Sequence, residues 1–236
     1  MFRSARHAAF YLLTAISFCL VTCAAHAQED GPIQIIFNPA KPKAPIVVML
    51  SGQTGPPNYE FYAKKIAALG YYTVLIDGKD ILNSQGTGAQ NLQKTIARTQ
   101  TAEQAIPGKV AIISFSQGGG GSLAHAITLP DQISMIAAHY PATNWIKDAR
   151  AYGRRVRVPL LIMSGELDRY NNNCCGIESM RDLEAGAKAA SAPVELVSYA
   201  NADHGFNLMG KQFRSDDAAD AWKRVVDMLT KYQPLP

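Results

Sequence analysis

The run Val110-Ala111-Ile112-Ile113-Ser114-Phe115-Ser116-Gln117-Gly118-Gly119-Gly120-Gly121 passes straight from an apolar segment into a glycine cluster. At the junction Ser116 sits in a small-x-Ser-x-Gly pattern, with Ser114 as the first small residue and Gly118 as the last. A serine hydroxyl is a poor nucleophile at neutral pH and needs a neighbouring base to take its proton. A sharp strand-to-helix turn lifts the hydroxyl clear of the backbone, and small neighbours let that turn close. Two later segments offer the partners: Asp168 in Gly165-Glu166-Leu167-Asp168, and His204 in Asp203-His204-Gly205-Phe206. The order Ser, Asp, His predicts acyl transfer with Ser116 as nucleophile, His204 as base and Asp168 as the acid that orients the imidazole.

The competing residues are few. Beyond the N-terminal segment the histidines are His125, His139 and His204. His125 falls more than two helical turns after Ser116, where packing or surface exposure is the expected role. His139 ends an apolar run and is expected to be a hydrogen-bonded structural histidine. Glu166 is expected at the pocket edge, and Asp203 to point away from its neighbour's ring. An oxyanion needs two backbone N–H donors. The amide of Gln117, directly after the nucleophile, is one. The loop Ser51-Gly52-Gln53-Thr54-Gly55 supplies the other, assigned to Gln53. The glycine cluster lacks the Gly-Lys-Ser/Thr ending of a phosphate loop. The histidines show no ligand spacing and no dinucleotide fingerprint is present, so neither metal nor cofactor is predicted. Tyr140, Trp145 and Tyr170 are candidates equally for pocket lining and for packing.

Those side chains need elements to position them. Short apolar runs alternate with amphipathic ones. Strands are predicted at 33–37, 46–50, 72–76, 110–113, 133–139, 160–163 and 194–199, and helices at 59–69, 89–104, 116–127, 177–190 and 216–232. This alternation predicts an α/β fold: a mostly parallel sheet with helices on both faces. Ligands in such sheets bind beyond the carboxyl ends of the strands. Ser116, Asp168 and His204 each follow a predicted strand, which places all three on one rim. The interval from Thr128 to Val158 is too short for a lid domain, so an open pocket is expected.

The 236 residues, 47% hydrophobic and 18% charged, suit one globular domain with an added apolar segment. That segment is N-terminal: Arg3, Arg6 and His7, then an uncharged run from Ala8 to Cys23, then Ala25-His26-Ala27. It predicts a secretory signal at residues 1–27 and a single domain at 28–236. The run is short for a stable membrane span. Leu20-Val21-Thr22-Cys23 offers lipidation at Cys23 as the less favoured route. Without Arg3 and Arg6 the formal charge falls from +4 to +2, and no basic run marks a nucleic-acid surface. Export to the periplasm or medium leaves Cys174 and Cys175, adjacent in sequence, in an oxidising compartment. They are read as two thiols, a bridge to another chain, or a vicinal disulfide stiffening an active-site loop.

With those motifs in place, the chain resembles the dienelactone hydrolase branch of the α/β-hydrolase superfamily. The likeness rests on Ser114-Phe115-Ser116-Gln117-Gly118-Gly119, Gly165-Glu166-Leu167-Asp168 and Asp203-His204-Gly205-Phe206, and spans nearly the whole predicted domain. It implies a small, lidless hydrolase of esters or lactones. Many members carry cysteine where this chain has Ser116, which favours a general carboxylic esterase over a dienelactone enzyme. Gly118 to Leu123 also resembles bacterial cutinases and polyester hydrolases, although Gln117 stands where those enzymes usually have methionine. The expected partner is therefore a small-molecule or polymeric ester. Thioesterase chemistry is a close alternative. A non-catalytic binder on the same scaffold is the alternative from another class, and an intact Ser-Asp-His order weighs against it.

Overall fold

The central strands are built mainly of apolar and small residues because both faces of the sheet are covered. In the computed structural model, which describes residues 31–236, seven strands form one sheet in the order β1-β3-β2-β4-β5-β6-β7. They are β1 (Ile35–Phe37), β2 (Ile46–Leu50), β3 (Tyr72–Ile76), β4 (Val110–Phe115), β5 (Ile133–His139), β6 (Leu160–Gly165) and β7 (Val194–Tyr199). All neighbours pair in parallel except β1, which runs antiparallel to β3 at the edge.

Side chains alternate between the faces with the period of two that a strand imposes. Ile46, Val48 and Leu50 of β2 join one core, and Val47 and Met49 join the other. The first core is closed by α2 (Gly88–Gln100), α3 (Ser116–His125) and α6 (Ile177–Ala189), through Leu92, Leu123 and Leu183 among others. The second is closed by α1 (Glu60–Ala68) and α7 (Ser215–Tyr232). Ala221, Val225 and Leu229 of α7 recur every four residues and are all buried, as one face of a helix must be. Residues 31–236 form one compact unit. Among the described residues no helix is long and apolar enough to cross a membrane, and no lid domain covers the sheet. The predicted secretory signal at 1–27 lies outside the described residues.

Several boundaries differ from the sequence reading. The first strand begins at Ile35, since Ile33 is out in solvent. Helix α2 stops at Gln100, where the side chain clamps the Gly108 backbone at both its N–H and its carbonyl. Strands β4 and β6 run two residues further, to Phe115 and Gly165, so the site residues follow them more closely. A short helix α4 (Ala149–Gly153), capped by Asp148, was not anticipated. Nor was the single turn α5 (Tyr170–Asn173), in which Asn171, Asn172 and Asn173 have φ of 43°, 57° and 61°. Asparagine is the side chain that best tolerates this left-handed region, so three in succession turn the chain sharply.

Candidate active site

Ser116 sits at the junction of β4 and α3 with φ of 50°. A non-glycine residue in this region costs about 1–2 kcal/mol, so its surroundings must hold it there. They do so from both sides. The Gly118 N–H donates to Ser51 O at 3.1 Å, and the Ala142 N–H donates to Ser116 O at 2.9 Å. The glycines permit this contact. A Cβ on Gly118 would meet Leu50 Cβ at 2.7 Å, and one on Gly119 would meet Pro141 Cα at 2.8 Å. Ser114, where the elbow pattern most often has glycine, is accommodated by a buried hydrogen bond. Ser122 Oγ donates to Gly119 O, leaving it to accept from Ser114 Oγ at 2.9 Å.

The three residues expected on one rim meet there. His204 Nδ1 lies 2.7 Å from Asp168 Oδ2, and His204 Nε2 lies 3.0 Å from Ser116 Oγ. A carboxylate only accepts, so Nδ1 carries the proton and Nε2 accepts from the serine hydroxyl. Asp168 is fully buried, and its other oxygen accepts from the Tyr170 N–H at 3.1 Å. A serine whose proton points at an imidazole nitrogen, with a buried carboxylate on the far side of the ring, is built for nucleophilic attack. Ser116 remains 5% exposed and lines a pocket of about 190 Å³ with Gln53, Tyr140, Tyr170 and His204.

Both glutamines lie beside the serine: Gln117 follows it in α3, and Gln53 lines the same pocket. Gln117 is the second residue of α3, so its amide has no intrahelical acceptor. Its side chain is turned to donate to Leu82 O at 2.7 Å. Gln53 follows Gly52, whose added Cβ would lie 3.2 Å from Ser116 Cβ, so this loop lies against the elbow.

The competitors are accounted for elsewhere. Glu166 pairs with Arg181 at 2.6 Å. Asp203 accepts from the backbone N–H of His204, not from its ring. His125 is partly buried beside Gly88, and burial lowers its pKa. His139 is fully buried and stacked on Phe115, with ring centroids 4.5 Å apart. Burial holds its pKa down to about 3, so it is neutral. Tyr140 and Tyr170 line the pocket. Trp145 does not; its indole N–H donates to Ala142 O and its ring packs edge-on to Tyr152.

Two features went unread in the sequence. Asn207, three residues after His204, joins Tyr140 to His139: its Oδ1 accepts from the Tyr140 hydroxyl at 2.9 Å, and its Nδ2 donates to His139 Nδ1 at 2.9 Å. This ties the His204 loop to the end of β5. Burial pushes the Tyr140 phenol well above its usual range, which keeps its donor proton in place. Tyr170 lies flat on the His204 ring. The turn bearing it is followed directly by a Cys174–Cys175 disulfide, the vicinal option among those the sequence left open. Asp168, Cys175 and His204 bring ligand atoms within 4.8 Å of one another. With its sulfur bonded to Cys174, Cys175 has no thiolate to offer a metal.

The parallel sheet, the strained serine elbow and the rim placement of all three side chains define an α/β-hydrolase. The dienelactone hydrolase family profile matches residues 75–233, and the chain belongs to that family; it is a hydrolase. No curated protein matches the chain. Among solved structures, it is similar to a thermophilic esterase from Thermogutta terrifontis, at 18% identity and a TM-score of 0.67, over 88% of this chain and 95% of that one. It is also similar to a dienelactone hydrolase-like promiscuous phosphotriesterase, P91, from metagenomic libraries, at 15% identity and a TM-score of 0.67, over 83% of this chain and 89% of that one. The Pyrococcus horikoshii acylaminoacyl peptidase aligns with a TM-score of 0.68 at 15% identity, over 84% of this chain but only 39% of the peptidase.

Proposed function

We propose that this hydrolase cleaves carboxylic esters through an acyl-enzyme on Ser116. Ser116 Oγ attacks the acyl carbon while its proton passes to His204 Nε2. The amides of Gln117 and Gln53 hold the oxyanion, and the positive end of α3 adds to that field. Asp168 fixes the tautomer and stabilises the imidazolium. When the tetrahedral species collapses, the alkoxide leaves with the proton from His204 Nε2. A water then attacks the acyl-enzyme and gives its proton to the same nitrogen, which passes it to Ser116 Oγ as the second tetrahedral species collapses and the acid is released.

The observation that carries this reading is the continuous hydrogen-bond chain from Asp168 through His204 to Ser116, opening into a pocket. The esterase among the similar structures supports the substrate class. A fluorophosphonate probe tests the reading. It is expected to label the protein at Ser116, as mapped by peptide mass spectrometry, and to leave Ser116→Ala unlabelled. Absence of label on the folded native protein would refute the proposal and favour a binding protein.

The enzyme is further proposed to act outside the cytoplasm after removal of residues 1–27. The basic start, uncharged run and Ala25-His26-Ala27 support this. Mass measurement of the protein recovered from a bacterial periplasm is expected to find Gln28 as its first residue. An intact Met1 would contradict it.

A further inference from the structure

The pocket that holds Ser116 does not end at the catalytic residues. Thr54, Leu208 and Met209 line it and also line a second, larger cleft of about 820 Å³. The two walls of this cleft are helix faces. Asn58, Phe61, Tyr62 and Lys65, beside and along α1, follow the spacing i, i+3, i+4, i+7. Ser215, Ala218, Ala219 and Trp222 of α7 follow the same spacing. Such spacing normally marks a face buried against a partner; here Trp222 of α7 meets Tyr62 and Lys65 of α1, and a cleft stays open beside that contact. The small Ala218 and Ala219 leave the space that larger residues would fill.

The lining is mostly apolar where solvent exposure would favour polar groups. Phe61 is 66% exposed and Met209 82%, and Phe213 is exposed beside them. Scattered exposed apolar residues are ordinary, but several converging on one cleft mark a binding surface. Lys65 is the charged residue in the lining. Its ammonium lies 3.7 Å from the Trp222 ring centroid, and burial lowers its pKa.

We infer that this cleft is the subsite for an uncharged apolar chain attached to the scissile ester. The inference rests on the ester-hydrolase reading and names the part of the substrate held between α1 and α7. Continuity through Thr54, Leu208 and Met209 gives a chain on either side of the ester a path from Ser116. The Lys65 ammonium disfavours a cationic chain.

Two substrate series distinguish which side carries the chain: p-nitrophenyl esters with acyl groups from acetate to decanoate, and acetates of alcohols from ethanol to decanol. On one of the two arms kcat/KM is expected to rise about tenfold or more with chain length, as buried methylenes add up. Ala219→Phe, on the exposed side of α7, is expected to erase most of that rise. Between isosteric acetates, 3,3-dimethylbutyl acetate is expected to be turned over better than acetylcholine. A flat profile on both arms would overturn the inference. So would a rise that Ala219→Phe leaves intact, or a preference for acetylcholine.

A binding measurement keeps this test separate from the catalytic reading. The chain has two tryptophans, and Trp145 packs elsewhere, so Trp145→Phe leaves Trp222 as the reporter. In the Trp145→Phe, Ser116→Ala protein, 1-octanol is expected to shift Trp222 emission saturably, and Ala219→Phe to weaken that response. Emission that octanol leaves unchanged would overturn the subsite even if esters are hydrolysed. A saturable shift in a protein that hydrolyses no ester would uphold the subsite and refute the catalytic reading.

Discussion

Tyr170 lies flat against His204, their ring centroids 4.3 Å apart and their planes 7° from parallel. Tyr170 sits only two residues beyond Asp168, and its own N–H donates to the Asp168 carboxylate. One short segment therefore holds the imidazole twice: at its edge through the acid, and at its face through the phenol ring. An aromatic pair of this kind is worth about 0.5–1.5 kcal/mol. Tyr170→Ala should therefore lower kcat on a p-nitrophenyl ester by about threefold to tenfold, while Tyr170→Phe keeps most of it. Because Tyr170 is partly exposed, stability should fall by no more than about that 0.5–1.5 kcal/mol, and thermal melting checks that. An Ala variant with native kcat would remove the stacked ring from the catalytic argument.

The segment carrying Tyr170 is itself clamped. The Cys174 N–H donates to Tyr170 O, and Cys174 O accepts from the N–H groups of Thr143 and Asn144. The vicinal disulfide lies within this clamp, with both cysteines buried. Replacing both cysteines by serine is expected to loosen the hold on Tyr170 and lower kcat more than it changes KM. Alkylation before and after reduction checks the bridge directly: neither Cys174 nor Cys175 should react until the protein is reduced.

Asn207 makes a different kind of prediction. Asn207→Ala would leave the Tyr140 hydroxyl and His139 Nδ1 buried without their partner, at a cost of about 1–3 kcal/mol for each unsatisfied group. A lowered urea midpoint is expected. Because the same residue tethers the loop bearing His204, kcat should fall as well. Loss of stability with fully native kcat would show that the tether does not position the base.

His139 gives the protein a pH dependence of known sign. Its folded pKa is held down to about 3 by burial, against 6.5 for a free histidine. Below pH 6.5 the unfolded chain takes up a proton there that the folded protein refuses until near pH 3. Stability is therefore unaffected by this group above pH 6.5 and is lost as pH falls through that window, by about 1.4 kcal/mol per pH unit. Between pH 7 and pH 4.5 the native protein should lose about 2–3 kcal/mol more than a His139→Gln variant. Urea denaturation at the two pH values measures the difference. Parallel losses would place the acid sensitivity elsewhere.

Much of this site is legible in the sequence. The elbow motif, the positions of Asp168 and His204 after strands, and the parallel sheet all follow from local patterns: an apolar run ending in small residues, and strand-helix alternation. What stayed hidden depends on contacts remote in sequence. Nothing local marks Asn207 as the link between Tyr140 and His139, because its partners lie at and just beyond the end of β5, 67 and 68 residues away. Tyr170 and Trp145 looked alike as aromatic residues near the rim. The left-handed turn through Asn171, Asn172 and Asn173 accompanies the return of one of them onto His204. The cleft between α1 and α7 was equally invisible, since each helix alone reads as an ordinary amphipathic face.

The most direct test of the central claim compares the native protein with Ser116→Ala on p-nitrophenyl acetate, with folding of both confirmed by circular dichroism. Hydrolysis by the native protein that disappears in the folded variant is the predicted result. Turnover retained by Ser116→Ala would contradict it.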